Sequence, residues 1–143
     1  MHFDQYKTYI FDCDGVILDS NSIKTEAFFE IALPYGADVA KKFVDYHKDH
    51  GGISRFEKIA YLHHAILNEI NCENQIHDDL VKYGEIVKEK LFYCRTTKGF
   101  EDFILILPRN TYKIVVSGGL QSELRNVFNL KGLTLYFDEI YGY

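Results

Sequence analysis

The chain has 143 residues, of which 47% are hydrophobic and 26% charged, and carries a formal net charge of −5. It has enough apolar residues for a real core and no excess of positive charge to hold a polyanion, so nucleic acid is disfavoured as a partner. No apolar run approaches the roughly 20 residues that span a bilayer. Three cysteines, Cys13, Cys72 and Cys94, lack the close pairing of a zinc site, and no hydrophobic segment opens the chain, which together fit a reduced cytoplasm.

Residues 8–12, in "TYIFD", are short, aromatic and β-branched, and the Asp14-Gly15 pair that follows reads as a tight turn closing a buried strand. From Ser22 the apolar residues Ile23, Ala27, Phe28 and Ile31 fall at helical spacing until Pro34 stops them. A second helix starts at Asp38 with Val39, Phe43 and Tyr46 inward, and Gly51-Gly52 breaks it. Ser54 and Glu57 form an S-x-x-E capping box ahead of Ile59, Leu62, Ile66 and Ile70, and a fourth helix covers about residues 79–91. After Gly99 come a helix over residues 101–107, a strand in "YKIVVS", a helix in "SELRNVFNL" and a last strand in "YFDEIYGY".

Strand, helix and strand in short succession indicate a parallel α/β sheet. The expected organisation is therefore a discontinuous α/β core, residues 1–19 and 98–143, interrupted by an all-helical insertion over residues 20–97. Insertions beyond a strand's carboxyl end are where open α/β sheets keep lids and ligands.

Asp12 and Asp14 leave that first strand one residue apart. Beyond a strand's end the backbone can curl and turn both carboxylates toward one point, where they repel unless a cation or a proton lies between them. Mg²⁺ takes a few carboxylate oxygens together with waters and substrate phosphate, so the pair is a suitable half-site; the other reading is plain turn chemistry. A second stretch, "VVSGGLQSEL", ends another predicted strand at Ser117 and places Gly118-Gly119 at a helix start, where open N–H groups suit an anion. Paired carboxylates on one strand, with a hydroxyl and a glycine-opened helix on another, describe a phosphate-transfer site.

"FDCDGVILDS", a helical insertion and then "VVSGG" resemble the haloacid dehalogenase superfamily, in the branch with a helical cap after the first strand. The resemblance covers nearly the whole chain. It implies a Rossmann-like parallel core, Mg²⁺ as cofactor held by Asp12 and Asp14, Asp12 as the nucleophile that becomes phosphorylated and Asp14 as general acid/base. It further implies that Ser117 and the backbone of Gly118 hold the transferring phosphoryl group. Cys13, between the aspartates, reads as core filler. The family also carries a lysine after the third core strand and acidic residues after the fourth. Neither has a counterpart here: Lys131 precedes the third predicted strand, and Asp138 and Glu139 lie on it. The core is thus expected to be incomplete at its C-terminus, as a portion of a longer product or a truncated paralogue. Residues 1–143 alone are expected to be inactive and to associate through the strand holding Ile10 and Phe11.

In the insertion, "GGISRFEK" sets Arg55 at the first helical position with Lys58 one turn on, beside two glycines; this reads as a second anion site or as a helix start with solvated charges. A similar loop contacts substrate in the β-phosphoglucomutase-like relatives. His47, His50, His63 and His64 have no carboxylates at matching spacing and read as surface or packing residues. The leading expectation is a cytoplasmic, Mg²⁺-dependent phosphatase of a small phosphorylated metabolite. A sugar-phosphate mutase is the nearest alternative, and a non-catalytic binding or regulatory remnant the alternative from another class.

Overall fold

The computed structural model describes residues 5–143, so the first four residues of the expected core segment lie outside the described residues. The chain forms two compact units. One holds the residues up to Asn21 together with Leu91–Tyr143, and the other is Ser22–Lys90.

The first unit is a three-stranded parallel sheet with helices. Its strands are β1 (Thr8–Phe11), β2 (Tyr112–Val116) and β3 (Glu139–Tyr141), in the order β1-β2-β3. Helix α5 (Phe100–Ile106) precedes β2, and α6 (Gln121–Leu130) connects β2 to β3. Phe11 pairs with Val115, and Val115 with Ile140, so these three side chains share one face of the sheet. All three are buried, together with Phe100, Ile104, Leu124, Val127 and Phe128 from the two helices. The Phe11 ring meets Phe100, Phe103 and Phe137 edge-on at centroid separations of 6.4, 6.2 and 5.5 Å. Strands added in one direction by crossovers of one hand place their helices on one face, as found here.

The opposite face explains a departure from the sequence reading. Ile10 is 68% exposed, and Tyr112, Val116 and Tyr141 on the same face are also exposed, so β1 is buried on one side only. Apolar composition marks a strand suited to burial on both faces, but burial also needs a second layer, and no helix of the described residues covers this side. The last strand is likewise shorter than expected. Leu133–Tyr136 turns as a 3-10 helix, and Asp138 precedes β3 and accepts from the Lys113 N–H at 2.7 Å. The α6 start also moves: Leu120 is its N-cap, which leaves Gly118 and Gly119 in the turn before the helix.

The second unit is helical. α1 (Asn21–Ala32), which begins at the edge of the first unit, and α2 (Ala37–Asp49) are joined by a 3-10 turn at Leu33–Tyr35, where Pro34 sits. Ser54 caps α3 (Arg55–Tyr61): its Oγ accepts from the Glu57 N–H at 3.3 Å, as the capping box requires. α4 (Glu73–Tyr93) starts six residues earlier than the periodicity indicated and ends beyond this unit. The core centres on Phe28, whose ring lies 5.4 Å from Phe43 and 4.4 Å from Tyr83. Ala27, Ile31, Ala40, Ile59, Leu62 and Val87 are buried with it. Ile70 is not. After α3 the chain widens into a π-helical turn, Leu62–Ile66, and then reverses through Asn68 and Asn71 at φ 55° and 57°. A helix that has already ended cannot carry Ile70 inward, and the residue is exposed. Among the described residues no helix is long and apolar enough to cross a membrane.

Candidate active site

β1 and β2 run parallel and in register from Thr8↔Tyr112 to Phe11↔Val115, so Asp12 and Ser117 both leave the sheet at its carboxyl edge. Asp12 is exposed, and its Oδ1 accepts from the Cys13 N–H at 2.7 Å. Cys13 is buried, consistent with its reading as filler. Asp14 is half-buried and its Oδ1 accepts from the Ser20 hydroxyl at 2.6 Å, which fixes the orientation of that carboxylate.

The loop holding Asp14 is built by its backbone. The Cys13 carbonyl accepts from Ile17 and Leu18 N–H groups, each at 2.9 Å, and Gly15 N–H donates to the Leu18 carbonyl at 2.7 Å. Gly15 has φ +73°, a conformation that favours glycine, and a Cβ there would lie 2.3 Å from Asn21 Nδ2, so that side chain would have to move aside. Residues 95–97 brace the same loop: Asp19 N–H donates to the Arg95 carbonyl at 3.0 Å, Thr97 N–H to the Ile17 carbonyl at 2.9 Å, and the Thr97 hydroxyl to the Val16 carbonyl. Cys94 lies within the field of Asp14, Asp19 and Lys131; burial, the largest effect, pushes its thiol up.

Ser117 is buried at the end of β2, and its Oγ accepts from Gly119 N–H at 3.1 Å. Two residues that sequence reasoning missed hold this turn. Gln121 donates through Nε2 to the Ile140 carbonyl at 2.8 Å and accepts at Oε1 from Gly142 N–H at 2.6 Å. Gly142 passes so close that an added Cβ would lie 2.7 Å from Gln121 N and from the Gly119 carbonyl oxygen. A glycine directly after a short strand was the available signal, but its partner, Gln121, is remote in sequence.

Asp12, Asp14 and Ser117 thus fall on adjacent strand ends of one unit. Their donors are all oxygens, suited to a hard cation such as Mg²⁺. A groove of about 500 Å³ on the same unit, lined among others by Arg125, Asn129 and Asp138, opens instead beside the start of β3. Arg55 and Lys58 belong to the other unit. The Arg55 guanidinium stands 5.0 Å from the centre of the Tyr83 ring. Lys58 is buried: its ammonium donates to His47 Nδ1 at 2.9 Å and lies 5.6 Å from the Phe28 ring centre. Burial, then Lys24, lower its pKa. The i, i+3 spacing of Arg55 and Lys58 does not register this, because it is the packing of α2 on α3 that draws Lys58 inward.

The family model for haloacid dehalogenase-like hydrolases matches residues 6–143. The chain belongs to the haloacid dehalogenase-like hydrolases. No curated protein matches it. Solved structures of the same fold include the magnesium-bound HAD-hydrolase YfnB of Bacillus subtilis, with TM-score 0.68, 20% identity, and coverage of 96% of this chain and 65% of that one. A protein assigned as a phosphoglycolate phosphatase from Haemophilus somnus 129pt gives TM-score 0.73 at 15% identity, covering 96% and 63%. One assigned as a β-phosphoglucomutase from Thermotoga maritima gives 0.62 at 18%, covering 95% and 61%. This haloacid dehalogenase-like chain therefore spans a little under two thirds of the length of these structures.

Proposed function

We propose that this haloacid dehalogenase-like hydrolase is a Mg²⁺-dependent phosphatase of a small phosphorylated metabolite. The observation that carries the reading is the placement of Asp12, Asp14 and Ser117 on the carboxyl edge of two adjacent parallel strands. Asp12 Oδ attacks phosphorus while the bond from phosphorus to the substrate oxygen breaks, and Asp14 gives that leaving oxygen its proton. Water then attacks the aspartyl-phosphate, Asp14 takes the water's proton, and phosphate leaves with the Asp12 carboxylate restored. The hydrogen bond from Ser20 aims Asp14 for both transfers. Ser117 and the Gly118 backbone hold the phosphoryl oxygens, and Asp12 and Asp14 would hold the Mg²⁺ that would supply positive charge against the charge building there. The helical unit serves as a cap, with Arg55 and Lys58 as its candidate contacts to an anionic part of the substrate. For Lys58 that role requires its ammonium to leave His47.

The test is hydrolysis of a small aryl phosphate by the protein as expressed from its own gene. Expected are turnover with Mg²⁺, its loss in excess chelator, and a fall of about 10³-fold or more in Asp12→Asn with the fold retained. Activity that is indifferent to chelator, or within a few-fold of the parent in Asp12→Asn, overturns the reading.

A further inference from the structure

The reversal after the π-helical turn gathers side chains that the sequence keeps apart. His63 is 0% exposed and Cys72 1%, and one ligating atom from each of His63, Glu69 and Cys72 lies within 4.8 Å of the others. His63 Nδ1 is 2.7 Å from Glu69 Oε2, and its Nε2 is 3.0 Å from Asp79 Oδ2. The same Asp79 oxygen accepts from the Tyr35 hydroxyl at 2.9 Å. His64 Nδ1 stands 3.6 Å from Cys72 Sγ. Spacing along the chain offered His63 no matching carboxylate; the left-handed turn at Asn68 brings Glu69 back to one of its ring nitrogens, and α4 presents Asp79 to the other.

We propose that His63 Nδ1, Glu69 and Cys72 Sγ form a transition-metal site of the zinc type, separate from the carboxylates of the α/β unit. A nitrogen, an oxygen and a sulfur donor together suit a borderline-soft ion, whereas Mg²⁺ and Ca²⁺ take oxygen ligands only. The surroundings match what such a ligand set requires. A metal-bound histidine ordinarily donates its other ring N–H to a carboxylate, which fixes tautomer and orientation; Asp79 occupies that position and is itself held by Tyr35. π-Helical turns of this kind concentrate at functional sites.

The three ligating atoms lie within 4.8 Å of one another, within range of side-chain adjustment onto one ion. Tetrahedral bonds of about 2.0–2.1 Å to nitrogen or oxygen and about 2.3 Å to sulfur give ligand separations of about 3.3 Å for N···O and about 3.6 Å for N···S. His64, whose Nδ1 lies 3.6 Å from Cys72 Sγ and 3.3 Å from the Glu69 carbonyl oxygen, is outside this ligand set. The His63–Glu69 contact opens by roughly 0.6 Å to reach the N···O separation, a movement open to the Glu69 side chain, which is 37% exposed. Binding requires Cys72 as thiolate and a free lone pair on His63 Nδ1, so the ion enters with release of any protons those atoms carry. The consequence is a clamp that ties the segment after α3 to α4.

Co²⁺ added to the chelator-treated full chain reports directly on this site. One equivalent is expected to give tetrahedral visible bands and a near-ultraviolet thiolate charge-transfer band, both bleached by Zn²⁺ and untouched by Mg²⁺. Cys72→Ser is expected to remove the charge-transfer band, and Asp79→Asn to weaken Co²⁺ binding about 10–100-fold. Glu69→Gln, at a partly exposed position, supplies a second ligand variant, with circular dichroism reporting on the fold of each. Asp12→Asn is expected to leave the spectrum unchanged, which separates this site from the proposed phosphatase centre. Absence of a thiolate band, or a band that persists in Cys72→Ser because Cys13 or Cys94 supplies it, overturns the proposal and leaves His63 as a buried ring hydrogen-bonded between Glu69 and Asp79.

Discussion

His47 shows how three neighbours decide one side chain's chemistry. Its Nδ1 accepts from the Lys58 ammonium at 2.9 Å, so the proton of the neutral ring sits on Nε2, 3.3 Å from Thr25 Oγ1. Burial, followed by Lys58, Lys24 and Lys48, brings its pKa down from 6.5 to about 4. Between those values the unfolded chain binds a proton that the folded chain refuses, so His47 makes stability rise with pH across that window. Acidification from pH 7 to 4.5 is expected to cost His47-containing protein about 1 kcal/mol more than His47→Gln, after allowance for partial exposure. Urea midpoints of both proteins at the two pH values measure this; equal losses would show that His47 keeps its ordinary affinity for protons. Gly15 offers a second prediction at this scale. Gly15→Ala meets left-handed strain as well as Asn21, and is expected to destabilise by about 1–3 kcal/mol while also lowering turnover, because the loop it enters carries Asp14. Denaturant unfolding and kcat, measured on the same preparation, check both.

Among the elements, α3 and the turn before α6 show local and remote determination side by side. The α3 start is written in four residues, and Ser54→Ala is expected to cost about 0.5–2 kcal/mol by leaving the Glu57 N–H without its side-chain acceptor. Thermal unfolding reads this, and an unchanged midpoint would mean that water replaces the cap. The turn carrying Ser117 depends instead on β3: Ser117 N–H donates to the Tyr141 carbonyl at 3.0 Å, Tyr143 N–H to the Gly119 carbonyl at 2.7 Å and Gln121 N–H to the Tyr143 carbonyl at 3.1 Å. Gly142→Ala pushes backbone against backbone there. If Ser117 holds phosphate as proposed, Gly142→Ala is expected to raise KM for an aryl phosphate, with secondary structure retained in circular dichroism. Capping made α3 legible in the sequence; no short window could pair Gly142 with Gln121.

At the level of the whole chain, the sheet is covered on one face and open on the other, with Ile10, Tyr112, Val116 and Tyr141 exposed together and β1 at an edge. Such a surface favours strand pairing and association. Replacing Ile10 and Val116 by Lys and Thr is expected to lower the light-scattering mass of residues 1–143 toward the 16.7 kDa of one chain without loss of helical signal. An unchanged mass would place self-association elsewhere.

The sequence by itself determined what depends on neighbours a few residues apart: the three strands and their parallel sense, the capping box at Ser54, the breaks at Pro34 and Gly51-Gly52, and the carboxylates placed just beyond β1. These follow from periodicity, backbone preference and side-chain-to-backbone hydrogen bonds, all of which act over one or two turns of chain. Only the tertiary structure decided which of those groups face one another. It drew Lys58 into the helical core against His47, left Ile10 uncovered, shortened β3, and set Glu69 and Asp79 on the two nitrogens of His63. Burial and ion pairing are properties of what packs against a residue. For His63 those partners are six and sixteen positions away, the first reached through the left-handed Asn68 and the second through a separate helix.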